Sequence, residues 1–177
     1  LLFDAQHWVE SGSSVLDVGC GLGFSLMELE NMGCKAFGLD PDVNVSKIAK
    51  KLDLNIKVGT MEDKLFKNKK FDYVIANQVL EHVEDPIEFL KLCKNQISAN
   101  GRIILSFPNS DSLTRKMLGK NWLHWHAPYH LNHFNRKSIK ILAGKVGLKI
   151  ISTKTVSPNL WTALQLRRLA IPRKMGE

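Results

Sequence analysis

The sequence predicts an α/β fold: a doubly wound, mostly parallel, Rossmann-like sheet of about six or seven strands with helices on both faces. Apolar strand patterns alternate with amphipathic helix patterns, an order that is typical of parallel sheets covered by helices. A glycine-rich turn follows the first strand, at the edge where such sheets bind ligands. With 177 residues, 44% of them hydrophobic, the chain is long enough for one domain with its own core.

Six strands and four main helices can be placed from the pattern. The strand patterns cover residues 15–18, 35–39, 55–58, 71–76, 102–107 and 148–156. The helix patterns cover residues 24–32, 45–52, 86–99 and 136–146. The clearest boundary is at Asp85, which can cap the helix that begins at Pro86, with Glu88 completing a capping box. Residues 108–134 follow no period, and a connection of that length in a compact domain usually has a function.

The turn after the first strand carries an acidic residue and three alternating glycines: Asp17, Gly19, Gly21 and Gly23. Glycines accept a positive φ and let a ligand approach the bare backbone. A phosphate gains nothing from a carboxylate at the base of the loop, whereas a ligand with an ammonium group does. S-adenosylmethionine (SAM) has an α-amino group and a sulfonium, and it lacks a phosphate. A tight strand-to-helix turn without a ligand is the alternative interpretation.

Two motifs carry a family resemblance. The order D-x-G-x-G-x-G, read from Asp17 to Gly23, resembles the first motif of the class I SAM-dependent methyltransferases. The stretch from Phe71 to Pro86 resembles the F-D-x-V … L-E-H-V-x-D-P segment of their small-molecule subgroup, the ubiquinone and menaquinone biosynthesis types (types 11, 12 and 23). The resemblance covers roughly residues 10–150. It implies transfer of a methyl group to a small-molecule acceptor, with S-adenosylhomocysteine (SAH) as the product.

The resemblance also implies which residues bind the cofactor. Asp40, which ends the second strand pattern, is placed to accept hydrogen bonds from both ribose hydroxyls, although acids at this place also serve NAD sites. The predicted cofactor residues are Asp17, Gly19, Cys20, Gly21, Gly23, Asp40, Pro41, Met61, Glu62, Asn77 and Gln78. Met61 and Glu62 belong to the adenine loop, and Asn77 and Gln78 follow the fourth strand, beside the sulfonium.

His82 and His130 are the candidate catalytic residues, as general bases near the methyl group. His82 has a structural hydrogen bond as an alternative role. His130 lies in an H-x-x-x-F segment that, together with the Pro108-Asn109 turn, matches the same subgroup. Oxygen is the expected acceptor atom, because the N-P-P-[YFW] stretch of amino-directed methyltransferases is missing at residues 77–80.

The aromatic, histidine-rich connection 108–134 is interpreted as a substrate-side insertion or lid, or as simple packing. Four histidines lie close together in this connection, which could suggest a metal site. We nevertheless expect none, because no carboxylate or cysteine lies next to them in the sequence. The three cysteines (Cys20, Cys34 and Cys93) likewise show neither paired nor metal-type spacing.

The charge is uneven along the chain, whose net charge is +8. Residues 1–63 hold ten acidic and five basic residues, whereas residues 64–177 hold seven acidic and twenty basic ones. The basic part leaves methylation of RNA or protein open as an alternative function. Two further alternatives are a NAD-dependent oxidoreductase and a non-catalytic SAM-binding module. A solvated lysine-rich surface is the simplest interpretation of the charge.

We predict a methyltransferase domain at 1–156 and a basic amphipathic tail at 157–177. This tail could touch an anionic membrane surface. The residues that would make the contact are Trp161, Leu164, Leu169, Arg167, Arg168, Arg173 and Lys174. No apolar run approaches the roughly 20 residues of a membrane-spanning helix, and no signal peptide is visible, so we expect a cytoplasmic protein. The chain does not begin with Met and is therefore expected to be a fragment or a trimmed chain.

Overall fold

The computed structural model describes residues 8–157 and 159–170, and within 159–170 it describes the side chains of residues 162–167. Five parallel strands form one sheet in the order β3-β2-β1-β4-β5. The strands are β1 (Ser14–Val18), β2 (Lys35–Asp40), β3 (Ile56–Val58), β4 (Phe71–Asn77) and β5 (Ile97–Ser106). The α/β class, the parallel sheet and the position of the first strand are therefore confirmed.

The helices are α1 (Phe24–Asn31), α2 (Val45–Leu52), α3 (Pro86–Gln96), α4 (Leu113–Leu118), α5 (Arg136–Lys145) and α6 (Asn159–Ala170). The boundary predicted at Asp85 is confirmed: its carboxylate accepts hydrogen bonds from the backbone N–H groups of Ile87 and Glu88, at 2.8 and 3.0 Å. The cap and Pro86 together explain why α3 begins where the sequence predicts.

The core consists of two layers, one on each face of the sheet. On β1, Val15 belongs to one layer and its neighbour Leu16 to the other, because successive side chains of a strand point to opposite faces. Leu26 and Leu29 of α1 cover the first face. On the other face lie buried residues of α3 and α5: Phe89, Leu90, Cys93 and Ile139. Helices on both faces are therefore observed, as predicted.

The strand order places the functional edge of the sheet. β1 pairs in parallel with β2 on one side and with β4 on the other, so the connections after these strands leave in opposite directions. A crevice opens at such a switch point, outside the carboxyl ends of the strands. The loops after β1, β2 and β4 therefore meet at one edge.

The sixth strand predicted at 148–156 is wrong: the sheet has five strands, not six or seven. Residues 148–157 have no regular secondary structure, and residues 149–157 are exposed, including Ile151 at 75%. A strand needs a neighbour that accepts and donates its backbone hydrogen bonds, and within the described ranges no strand lies beside this segment. Of the apolar residues that suggested the strand, Leu148 packs against the core, and Ile150, Ile151 and Val156 remain on the surface.

Two further boundaries differ from the prediction. β5 begins at Ile97, where the pattern predicted the last turn of a helix, and a register shift between Phe71 and Tyr73 accommodates the longer strand beside β4. The connection 108–134, in which no period is visible, contains α4 and two single 3-10 turns. Six residues are too few to display a helical period, so the sequence could not reveal α4.

Within the segment predicted as an amphipathic tail, residues 159–170 form α6, which is hydrogen-bonded to the connection 108–134. Gln165 is 7% exposed, and its side-chain oxygen accepts a 2.7 Å hydrogen bond from the backbone N–H of Leu123. Its amide nitrogen donates to the backbone carbonyl of Asn121 at 3.1 Å. Of the residues predicted for membrane contact, the side chains of Trp161, Arg168 and Leu169, and all of Arg173 and Lys174, lie outside the described part.

Among the described residues, no helix is both long and apolar enough to cross a membrane. The division into 1–156 and 157–177 and the cytoplasmic location stay predictions.

Replacing Leu90 by Ala tests the packing of α3 on the sheet. Leu90 is 1% exposed, and Leu90→Ala is expected to lower the free energy of unfolding by about 2–5 kcal/mol through lost burial and a cavity. The matched control is Leu113→Ala, at a side chain that is 72% exposed, where we expect a change within about 0.5 kcal/mol. Urea unfolding measures both, and similar losses in the two variants would contradict the core assignment.

Candidate functional site: the carboxyl edge of the sheet

The glycine-rich turn after β1 has the backbone that its sequence predicts. Gly19, Gly21 and Gly23 have φ values of 73°, 52° and 79°, in the left-handed region that favours glycine. The backbone N–H of Gly19 donates to the carbonyl of Leu39 at 2.7 Å, which joins the turn to the end of β2. Cys20, also predicted for the cofactor site, is 7% exposed, and burial raises the pKa of its thiol to about 12. Its backbone N–H donates to the carbonyl of Leu39 at 3.3 Å and its carbonyl accepts from Gly23 at 3.0 Å, so Cys20 mainly shapes the turn.

Two of these glycines are also required by their close neighbours. A Cβ atom on Gly19 would lie 2.5 Å from Cγ2 of Val79, and one on Gly23 would lie 2.6 Å from Cδ1 of Leu54. A Cβ atom on Gly21 would meet no heavy atom within 4 Å. The space beside Gly21 is therefore open to a ligand, while Gly19 and Gly23 fit the loop against the core.

Asp17 is a buried carboxylate at the base of this turn. It is 3% exposed and accepts a hydrogen bond from the hydroxyl of Ser25. Burial raises the pKa of Asp17 to about 6; the hydrogen bond from Ser25 opposes this shift, and the nearby charge of Asp40 adds to it. A charge held in such surroundings is costly until a cation neutralises it. The site is therefore prepared for a positively charged group.

Asp40 connects the ends of β1 and β2. Its Oδ2 accepts the backbone N–H of Gly21 at 2.8 Å, and its Oδ1 accepts that of Asp42 at 2.9 Å. A carboxylate has about four lone-pair positions, so two remain for a ligand. Pro41, the residue between, is exposed. This carboxylate lies beside the glycine turn, and its contact with a ribose stays a prediction.

The loop after β3 begins with a single 3-10 turn, Met61–Asp63. A reciprocal cap holds it: the carboxylate of Asp63 accepts the backbone N–H of Thr60 at 2.7 Å and its hydroxyl at 3.2 Å. Met61 is 6% exposed and lies in the core, whereas Glu62 is exposed. Glu62 is therefore the more accessible of the two predicted adenine-loop residues.

Asn77 and Gln78 leave the carboxyl end of β4 and share one partner, Ser106, at the end of β5. The hydroxyl of Ser106 donates to Oδ1 of Asn77 and accepts from Nε2 of Gln78 at 3.3 Å. The backbone N–H of Gln78 donates to the carbonyl of Ser106 at 2.9 Å and stabilises the unusual φ of 57° at Gln78. These bonds leave Nδ2 of Asn77 and Oε1 of Gln78 for a ligand.

His82 and His130, 48 residues apart in the chain, lie together with ring centroids 4.7 Å apart. Nδ1 of His82 lies 2.9 Å from the backbone carbonyl of Tyr129, and Nδ1 of His130 lies 2.9 Å from that of His124. A carbonyl can only accept, so Nδ1 is the donor in both rings, and in a neutral ring the lone pair then lies on Nε2. Burial lowers the pKa of His130, which favours its neutral form at neutral pH. Both imidazoles can accept a proton.

Glu81 is the functional candidate that the sequence interpretation missed. It is 1% exposed, burial raises its pKa, and neither carboxylate oxygen has a hydrogen-bond partner within the described ranges. Its backbone carbonyl accepts the N–H groups of Leu131 and Asn132 at 2.8 and 3.0 Å, which fixes His130 beside β4. An acidic residue between Leu80 and His82, four residues after a buried strand, was the available signal.

Glu81, His82 and His130 each offer one ligand atom, and these three atoms lie within 4.8 Å of one another. One carboxylate with two imidazoles is a donor set able to bind a divalent cation. The expectation of no metal depended on the lack of a carboxylate near the histidines in the sequence, and the fold brings Glu81 to them from the loop after β4. That expectation stays a prediction.

Together, a parallel doubly wound sheet, a glycine turn with a buried acid, and a carboxylate at the end of β2 define the class I SAM-dependent methyltransferases. The family model described as "Methyltransferase domain" matches residues 4–153. The chain belongs to this family.

Known relatives agree with this assignment. The chain is 34% identical over 104 residues to the ubiquinone biosynthesis O-methyltransferase of Bradyrhizobium diazoefficiens, covering 55% of this chain and 41% of that protein. It is 32% identical over 114 residues to the mitochondrial ubiquinone biosynthesis O-methyltransferase of Rattus norvegicus, covering 59% and 33%. The chain thus spans about two fifths or less of these relatives.

A solved structure shares the fold. It is a SAM-dependent methyltransferase of Thermotoga maritima, described as a possible histamine N-methyltransferase, with a TM-score of 0.68 at 21% identity, covering 84% of this chain and 70% of that one.

A pair of glycine variants tests the close contact in the turn. Gly19→Ala is expected to lower the free energy of unfolding by about 2–4 kcal/mol, because strain at positive φ is joined by the clash with Val79. Gly21→Ala, the control, has the strain alone and should lose about 1–2 kcal/mol. Urea unfolding compares them, and adding Val79→Ala to Gly19→Ala should restore part of the loss. Equal losses for the two glycine variants would refute the steric role of Val79.

Proposed function

We propose that this chain binds SAM at the carboxyl edge of the sheet and transfers its methyl group to an oxygen of a small-molecule acceptor. The observation that carries the proposal is the buried carboxylate of Asp17 beneath the glycine turn. The α-amino group of SAM is a cation of the right kind to neutralise it. A dinucleotide would bring phosphates to the same place, where this carboxylate repels them.

The other cofactor contacts follow from the exposed polar groups at this edge. Asp40 has two lone-pair positions left for the ribose hydroxyls, and the open space at Gly21 admits the ligand to the backbone. Oε1 of Gln78 is a further acceptor for the ammonium group, and Nδ2 of Asn77 is a donor for the carboxylate. Glu62 is the polar side chain for the adenine amine, with Met61 and Pro41 as apolar neighbours. Gly19, Cys20 and Gly23 contribute the shape of the turn.

The transfer is an in-line displacement, in which SAM supplies an electrophilic methyl carbon on a positively charged sulfur. The chain's part is to hold a nucleophile close to that carbon and aligned with it. As a hydroxyl oxygen forms its bond to the methyl carbon, its proton passes to a base, and we assign this role to Nε2 of His82 or His130; their Nδ1 contacts to backbone carbonyls support the assignment. Burial lowers the pKa of His130, which favours the neutral ring that such a base requires.

The acceptor would enter between β4 and the connection 108–134, which acts as the substrate-side insertion. The backbone bonds from Leu131 and Asn132 to Glu81 hold the insertion near its end, and Gln165 of α6 holds its middle through Asn121 and Leu123. Oxygen as the acceptor atom agrees with the names of the curated relatives, both of them O-methyltransferases. RNA or protein methylation through the basic part, and membrane contact through 157–177, are secondary proposals.

Calorimetry and a product assay test the proposed function. We expect SAH to bind and NAD not to bind. Catechol is the oxygen acceptor used as probe, and 1,2-diaminobenzene is its nitrogen-bearing control. With SAM as the methyl donor, catechol should yield methylated catechol and SAH, measured by mass spectrometry. The control, 1,2-diaminobenzene, should yield no methylated product. Binding of NAD in place of SAH would refute the cofactor, and binding of SAH without turnover would favour a non-catalytic module.

Asp17→Asn tests the ammonium contact. The loss of one charge-assisted hydrogen bond, about 1.5–3 kcal/mol, predicts roughly tenfold to hundredfold weaker SAH binding at pH 7.5. In the parent protein the affinity should fall as the pH drops below about 6, because a proton on Asp17 then competes with the ammonium group. The variant should lack this step, which isothermal titration at several pH values would reveal. Asp42→Asn, at an exposed carboxylate, is the control.

The same carboxylate has a predictable effect on the ligand-free protein. Its pKa is about 6 in the folded chain against 3.8 unfolded, so the folded state binds the proton more tightly and loses stability as the pH rises from about 4 to 6. Asp17→Asn should therefore raise the free energy of unfolding at pH 7 by an amount on the order of 3 kcal/mol, and the gain should vanish below about pH 4. An unstable variant at pH 7 would contradict the burial cost.

Replacing each histidine in turn tests the proposed base. The variant that removes the base, either His82→Asn or His130→Asn, should lower kcat for methyl transfer by about 10²–10⁴-fold. The SAH affinity of both variants should change little. His126→Asn is the matched control, because His126 is exposed and its φ of 35° suits asparagine. Equal kcat in all three variants would exclude a histidine base. Activity that EDTA abolishes and a divalent cation restores would assign His82 and His130 to a metal site instead.

A further inference from the structure

The connection between β3 and β4 leaves part of the sheet without the cover that a doubly wound fold gives it. A parallel crossover normally carries a helix that packs on the sheet face. Here residues 59–70 contain only the 3-10 turn Met61–Asp63. Residues 64–70 then form a lysine-rich loop beside β2 and β3. Lys69 lies over Phe37 of β2, and Lys57 of β3 donates to the backbone carbonyl of Leu65.

A groove of about 790 Å³ lies under this loop. It is lined by Phe37 of β2, by Asn55 just before β3, by Lys57 of β3, and by residues 63–69 of the connection. The volume is within the range of about 300–1,000 Å³ that is usual for ligand sites. Of the residues proposed for SAM, none lines the groove, so it is a separate surface.

The floor of the groove is aromatic and already packed. Phe37, Phe66 and Phe71 contact one another edge to face, with ring centroids 5.5–5.9 Å apart. The ammonium of Lys69 lies 3.2 Å from the centroid of Phe37, and that of Lys57 lies 4.5 Å from that of Phe66. The ring faces are therefore covered by cations. Leu65, 37% exposed, is the apolar side chain that remains open at the rim.

The charge of the groove is one-sided. Four lysines line it, against the single carboxylate of Asp63, which is occupied by the backbone and hydroxyl of Thr60. None of the four lysines forms a salt bridge in the part of the chain that the structure describes. Such a concave, unneutralised positive surface attracts an anionic partner.

We propose that this groove, the lysine groove, docks an acidic segment of a partner protein, with carboxylates on Lys64 and Lys67 and an apolar side chain on Leu65. A nucleic acid fits less well: single strands stack their bases on open aromatic faces, and here the faces of Phe37 and Phe66 are covered. No arginine lines the groove, so bidentate recognition of phosphate is also missing there. A peptide uses both the cations and the apolar rim.

The probe is a fluorescein-labelled twelve-residue peptide of alternating Glu and Leu, measured by fluorescence anisotropy with the whole chain. The charge control is the same peptide with Gln in place of Glu, and a twelve-nucleotide uridine RNA serves as the alternative ligand. The protein variants are Lys64→Glu with Lys67→Glu, and Leu65→Ser. The matched control is Lys140→Glu with Lys149→Glu, at two exposed lysines outside the groove.

We expect the acidic peptide to bind at least tenfold more tightly than its Gln counterpart and to weaken as salt rises from 50 to 200 mM, because surface charges are screened. Lys64→Glu with Lys67→Glu should weaken it at least tenfold. Leu65→Ser should weaken it less, and the control should leave it unchanged. We expect the SAH affinity to be unchanged in every variant, which shows that the fold is intact. A loss of peptide binding is then distinguishable from a failure of the proposed methyl transfer.

The proposal is overturned if the acidic peptide does not bind, or if the two double variants lose affinity equally. It is also overturned if the RNA binds more tightly than the peptide and loses its affinity in the groove variant, since the groove then serves nucleic acid.

Discussion

β1 lies between β2 and β4 and pairs with both in parallel, and this position brings the loops that follow the three strands to one edge of the sheet. The glycine turn, the carboxylate of Asp40 and the pair Asn77 and Gln78 meet there although they are far apart in the chain. Backbone bonds from the turn to Leu39, and from Gln78 to Ser106, hold the loops to their neighbouring strands. The cofactor site is thus a consequence of strand order.

Two buried carboxylates lie close to this edge, and each lowers the stability of the ligand-free fold. Burial raises the pKa of Asp17 and of Glu81, which indicates a cost for holding either of them charged. Asp17 has one hydroxyl partner, and the Glu81 oxygens lack partners within the described residues. Sites that bind cations often carry such a cost because the ligand offsets it. The rest of the core is apolar on both faces of the sheet, and its burial supplies the stability that offsets the cost of the two buried carboxylates.

The motifs could be predicted because each is local. Asp17 and its glycines are neighbours in the chain, and the cap of α3 needs only Asp85 and Pro86. The predicted sixth strand is wrong for a reason that a local pattern cannot express: a segment rich in β-branched residues becomes a strand only beside a partner strand, and 148–157 has none in the described part of the chain. Glu81 was missed because its importance depends on burial, and on His130, which approaches it from the insertion.

The sequence by itself determined the class of fold, the glycine turn and the acid beneath it, since these depend on backbone conformation and on hydrophobic period over a few residues. Only the tertiary structure decided that His82 and His130 lie together with Glu81, and that four lysines line a groove over β2 and β3. The physical reason is the same in both cases. Distance along the chain carries no information about contacts across the sheet, and burial, which sets the cost of a charge, depends on those contacts.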